Sequence, residues 1–162
     1  MRQSLGFILL LSLLSTAAQP EYQSVSIDNS RQLHIVLASG KDVRAPKLPG
    51  QVGFDDPLIS PDHRTVGWFA TFHVDPSDRS SEYANELVLY RAGRILRTFK
   101  SEIIFWDWQF RDTGKRIAYS EGPTHGGAKH CALYDVDSGK LVAEWRFESG
   151  QEPPEWAQTL RR

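Results

Sequence analysis

The sequence predicts an all-β protein made of antiparallel four-stranded repeats, and three observations carry that expectation. Apolar residues fall in short runs of about four to eight, rich in β-branched and aromatic types and separated by Gly, Pro, Asp and Ser. Asp56-Pro-Leu-Ile-Ser-Pro-Asp-His-Arg-Thr-Val-Gly-Trp68 aligns without a gap with Asp107-Trp-Gln-Phe-Arg-Asp-Thr-Gly-Lys-Arg-Ile-Ala-Tyr119. A second unit recurs three times, at His34-Ile-Val-Leu-Ala-Ser-Gly40-Lys, Leu87-Val-Leu-Tyr-Arg-Ala-Gly93-Arg and Cys131-Ala-Leu-Tyr-Asp-Val-Asp-Ser-Gly139-Lys. The two units alternate, so the composite repeat is four strands.

Taken in order, the expected strands begin at 23–27, where Val25 and Ile27 alternate with serines, and at 33–38 and 43–47, joined through Gly40. Residues 57–60 and 65–73 flank a polar turn at Pro61-Asp-His-Arg64. Residues 86–91 and 94–100 flank Ala92-Gly93, a glycine placed where a hairpin needs positive φ. The pattern then repeats as 103–110, 116–120, 131–135 and 141–147, with a last run at 156–160. No long stretch has helical periodicity.

Residues 1–18 have the three parts of a cleavable secretory signal peptide: Arg2, an apolar stretch from Leu5 to Leu14, and small residues from Ser15 to Ala18. The apolar stretch is about half the ~20 residues that a membrane-crossing helix needs. The expectation is therefore a domain over 19–162, exported, soluble, and secreted or periplasmic, with no membrane span after cleavage. The 19 basic and 20 acidic residues nearly balance. That balance argues against a nucleic-acid partner, which calls for a basic stripe. Cys131 is the single cysteine, so no intrachain disulfide can form.

Ser60-Pro-Asp-His-Arg-Thr-Val66, Gly114-Lys-Arg-Ile-Ala-Tyr-Ser120 and Leu133-Tyr-Asp-Val-Asp-Ser-Gly-Lys-Leu-Val142 resemble the repeats of the WD40-like, TolB-type β-propeller family. The chain departs from the usual Ser-Pro-Asp-Gly turn at His63, and again at Arg111-Asp112-Thr113. The resemblance implies about three blades and protein-partner recognition on a propeller face; a β-sandwich is the alternative reading of the same turns. Three blades fall below the four to eight that close a propeller. A homodimer closing a six-bladed ring is one solution, with the 156–160 strand of each copy completing the three-stranded N-terminal blade of the other.

The motifs of common exported enzymes are absent: no Gly-x-Ser-x-Gly, no His-Glu-x-x-His and no Cys-x-x-Cys. The sequence calls for no cofactor. The strongest metal-ligating combination is His125, His130 and Cys131 in a Gly-rich connection, ligand types suited to zinc or copper. Asp75, Asp78 and Glu82, beside His73 in an expected loop from Val74 to Asn85, offer oxygen ligands for calcium. Asp56, Asp107 and Glu155 hold equivalent places at strand starts, and in a closed ring would form an acidic rim. Alternation along 103–110 puts Trp106 and Trp108 on one face, as core or as a stacking surface, with Phe105 and Asp107 on the other. The main functional expectation is a binding or protein-interaction module. A metal-dependent hydrolase at the His125, His130 and Cys131 loop, and a degenerate fragment without independent activity, are the alternatives.

Overall fold

The computed structural model describes residues 21–75, 78–147 and 151–160, so the expected signal peptide lies outside the described residues. Among these residues, eleven strands form three sheets. The first holds β1 (Tyr22–Ile27), β2 (Leu33–Leu37) and β3 (Asp42–Arg44). The second holds β4 (Gly53–Ile59), β5 (Val66–Asp75), β6 (Asp78–Arg91) and β7 (Arg94–Lys100). The third holds β8 (Ile104–Arg111), β9 (Arg116–Gly122), β10 (His130–Asp135) and β11 (Leu141–Arg146). Every pairing is antiparallel and joins consecutive strands. Among the described residues the expected repeat is present as two four-stranded propeller-type sheets and a three-stranded one that matches its last three strands. Gly40, Gly93 and Gly139 take φ of 81°, 79° and 67° at the matching hairpin turns, as the sequence unit requires.

Two apolar layers hold the sheets face to face. Tyr22, Leu33 and Ile35 of the first sheet pack on Phe54, Trp68, Val88 and Tyr90 of the second. On the opposite face of the second sheet, Phe69, Leu87 and Leu89 pack on Phe105, Trp108, Ile117 and Tyr119 of the third. Consecutive residues of β5 and β6 thus serve different layers, which is why Val66–Ala70 and Leu87–Tyr90 read as unbroken buried runs. Trp108 is fully buried and donates its Nε1–H to the Asp56 carbonyl oxygen at 3.0 Å, joining the third sheet to the second. Gly67 makes room for it: a Cβ there would lie 2.4 Å from the indole.

Three expectations are corrected. Residues 156–160 do not form a strand. Glu155–Gln158 is a short helix, α1, started at Pro154, and Trp156, Ala157 and Leu160 lie over Ala118, Cys131 and Leu133 on the outer face of the third sheet. The segment expected to close a six-bladed ring with a second copy is therefore occupied within its own chain. Second, the expected loop from Val74 to Asn85 is mostly strand, since β5 runs to Asp75 and β6 starts at Asp78. Third, a bulge between Phe105 and Asp107 inserts one residue into β8, so Phe105 and Trp108 share the inner layer.

The position of His63 explains its departure from glycine. It holds φ of 59°, which histidine tolerates better than most residues. From there its carbonyl accepts the Tyr22 N–H at 2.8 Å, while its Nδ1–H donates to the Tyr22 carbonyl oxygen at 2.8 Å. A glycine would form the turn and lose the second bond that pins β1 to the second sheet.

Candidate functional site

The residues singled out from sequence are dispersed. His130 and Cys131 are neighbours on β10 and point to opposite faces: Cys131 is buried beneath α1, and His130 faces the second sheet. His130 Nδ1–H donates to Glu121 Oε1 at 2.9 Å, its direct cross-strand partner, and His125 is exposed in the connecting loop. Among the described residues no group of three His, Cys, Asp or Glu side chains is placed to hold a metal ion. Glu82 is paired with Arg31 and accepts from Thr71 Oγ1 at 3.2 Å; the guanidinium holds its carboxyl below the usual range. The side chains of Asp75 and Asp78 lie outside the described residues.

Asp56 and Asp107 do keep equivalent places. Each sits where its first strand bulges, between Asp55 and Leu58 and between Phe105 and Asp107. Asp107 is nearly buried, and its Oδ1 accepts the backbone N–H of Trp108 at 2.8 Å. Glu155 lies instead in the first turn of α1, so the structure does not bring the three acids to one rim. Trp106 is the half-buried residue of the bulge.

Sequence reasoning missed a groove between the second and third sheets. It lies at the end where β5 turns into β6 and where the linker Ser101-Glu102-Ile103 carries the chain from one sheet to the next. A hollow of about 480 Å³ there is lined by His73, Val74, Tyr83, Asn85, Ile103 and Ile104, with Pro123 and Thr124 at its rim. Val74, at 64%, is the most exposed of the exposed large hydrophobics among the described residues, and Ile103 is 40% exposed. Beside them, His73 Nδ1 and Asn85 Oδ1 are shielded from solvent and make no hydrogen bond. Exposed apolar side chains thus border a hollow in which two buried polar atoms are unmatched, a combination that sets this end of the sheets apart from the packed layers. Nothing in local sequence marks it, because its residues come from four separate segments.

A larger hollow of about 590 Å³ lies beneath α1, lined by Arg111, Arg116 and Trp156. Arg111 is committed there, donating from Nε to the Trp156 carbonyl oxygen at 3.1 Å, so this space is the seam of the helix that covers the third sheet.

Among solved structures, one of the eukaryotic initiation factor is similar over 83% of this chain and 31% of its own, with a TM-score of 0.53 at 15% identity. The C-terminal WD40 domain of Sif2 is a looser match, at a TM-score of 0.44 and 14% identity over 80% and 33% of the two chains. The chain spans about a third of the length of these structures. No family model and no curated protein matches the sequence. With the three meander sheets described above, the fold is all-β, built of antiparallel repeats of β-propeller type.

Proposed function

We propose that this chain is an exported, soluble protein-interaction module, secreted or periplasmic, that holds a protein or peptide partner in the groove of Val74, Tyr83, Asn85 and Ile103. The observation that carries the reading is the open apolar surface of Val74 and Ile103 on the two sides of the groove between the second and third sheets. The WD40-like sheets and the TolB-type turn motifs support it, although a fold alone does not assign a role. No helix among the described residues is long and apolar enough to cross a membrane. Arg2, the apolar run and Ala18 support export.

A photo-crosslinking residue at Val74 or Ile103 tests the site. Discrete adducts are expected from these positions, absent from Thr98 on β7 and abolished by Ile103→Glu in a variant with unchanged thermal unfolding. Equal adducts from Thr98, or none from the groove, overturn the reading. N-terminal sequencing of the exported protein should begin at Gln19. A homodimer, if formed, has to use a surface other than an exchanged C-terminal strand, and the solution mass of the purified chain reads this directly.

A further inference from the structure

The groove does not end at Ile103. On the other side of the linker lies a second hollow of about 420 Å³, lined by Lys100, Glu102, Tyr119, Glu121, His130 and Tyr134. The two hollows share Glu102 and Ile103, so the linker is a saddle between them. Their chemistry differs. Glu102 borders both; beyond it the first is walled by Val74, Ile104 and Pro123 with His73 and Tyr83, whereas the second adds the Glu121 carboxylate and the phenol rings of Tyr119 and Tyr134.

Acidic side chains outnumber the fixed cations at the second hollow: Glu102 and Glu121 line it and Glu86 and Glu144 stand beside it, against Lys100 in the lining and Arg146 opposite His130 on β11. Lys100 is engaged with Glu86 Oε1 at 2.9 Å. His130 meets Glu121 through Nδ1, and its Nε2 stands 3.4 Å from Glu144 Oε2. A single imidazole therefore faces two carboxylates, and Glu102, exposed on the saddle, adds a third. Tyr134 is half-buried, stacked on Tyr119 with ring centroids 5.7 Å apart, and presents an aromatic wall of the kind a guanidinium packs against.

We propose that the partner is recognised through an extended segment that sets an aliphatic or aromatic side chain in the first hollow and an arginine or lysine in the second, across the Glu102–Ile103 saddle. This rests on the interaction-module reading and adds the chemistry of what is bound. The apolar side chain covers Val74 and Ile103; the basic one meets Glu102 and Glu121 and lies along Tyr134. Opposite charge in the second hollow also sets the direction in which the segment lies.

Selection of a random twelve-residue peptide library displayed on phage, against the folded full chain, tests this, with enriched peptides then synthesised and titrated. Enriched sequences should place Arg or Lys within a few residues of Leu, Ile, Phe or Met. Replacing that basic residue by Glu should weaken binding about tenfold or more. Glu102→Gln, on an exposed side chain, and Glu121→Gln, which keeps an acceptor for His130, should each weaken it about threefold to tenfold with unchanged thermal unfolding. Ile103→Glu should abolish it. Peptides that need no basic residue, or that bind both glutamine variants as well as the parent while remaining sensitive to Ile103→Glu, overturn the basic-segment proposal and leave the groove standing. No enriched peptide, or peptides indifferent to Ile103→Glu, overturn both.

Discussion

At one end of the stack the first sheet turns Ser26, His34 and Arg44 to solvent in one cross-strand row, with Ser24, Val36 and Asp42 beside it. At the other end the third sheet turns Ala118, Cys131 and Leu133 outward and hides them under Trp156, Ala157 and Leu160. Both are faces on which a further blade would pack in a longer stack. One is finished by polarity, the other by a cover drawn from the same chain. A stack of repeats needs its terminal faces made compatible with water, and this molecule uses both available means.

The contrast is broken most strongly by removing the cover. A chain ended at Phe147 should expose the apolar face of the third sheet, bind a hydrophobic dye and make Cys131 reactive to alkylation in the folded state. No comparable loss can be made at the first sheet, whose outer face is covered by no other element among the described residues. If Cys131 stays as unreactive as in the full chain, the cover is not what protects it. A milder form is Leu160→Ala, which should cost about 2–4 kcal/mol in urea unfolding. A change below about 1 kcal/mol would mean that α1 rests on the sheet without contributing to it.

The polar end should instead be sensitive to pH. His34 bonds Asp42 Oδ2 through Nδ1 at 2.8 Å and Asp28 Oδ2 through Nε2 at 3.1 Å, so both ring nitrogens carry protons. These two carboxylates, Asp42 foremost, raise its pKa above the ordinary 6.5. The stabilisation is fully present below the unfolded value and is lost as pH rises through the higher folded one. Asp28 moves the other way. Hydrogen bonds from Ser30, then Gln32 and His34, hold its carboxyl far below the usual range, so its contribution is present above the ordinary carboxylate pKa and lost only in strong acid. Amide exchange at Ile35 should therefore quicken from about pH 6 to pH 8 by more than the intrinsic rate, and His34→Gln should flatten that excess. Exchange at Ala132 in the third sheet should show no such excess in either protein. The smallest effect is expected of His63→Gly. It relieves a positive φ and removes one bond to Tyr22, so the two changes oppose each other within about 1 kcal/mol, while exchange of the Val25 amide in β1 should quicken.

The repeating unit was legible because its signals are local: turn glycines at 40, 93 and 139, and the gapless match of 56–68 with 107–119. Trp106 and Trp108 were misassigned to one face because strict alternation fails after one inserted residue, and no residue type announces a bulge. The terminal helix had a signal in Pro153-Pro154-Glu155, but its Trp-Ala-Gln-Thr-Leu run matched a strand start equally well, and only packing on Leu133 decides between them. The groove was invisible for a different reason. Val74 and Ile103 are ordinary apolar residues in sequence, and their exposure follows from where β5 and the linker happen to end. His130 is among the expected site residues but its partner Glu121 is not, because only the cross-strand register places the two directly opposite.

The consecutive order of strands in all three sheets also bears on how the chain reaches its structure. No described pairing joins strands distant in sequence, so each sheet closes only short hairpin loops, and the entropy lost in bringing its partners together is small. Chains with such low contact order fold faster than β-proteins whose first and last strands must meet. Each sheet can form from a contiguous segment of about fifty residues or fewer and then dock on the one before it. Because α1 covers a face that exists only once the third sheet has formed, the buried thiol of Cys131 gives a clock for that step, its loss of reactivity marking the moment at which the face is covered.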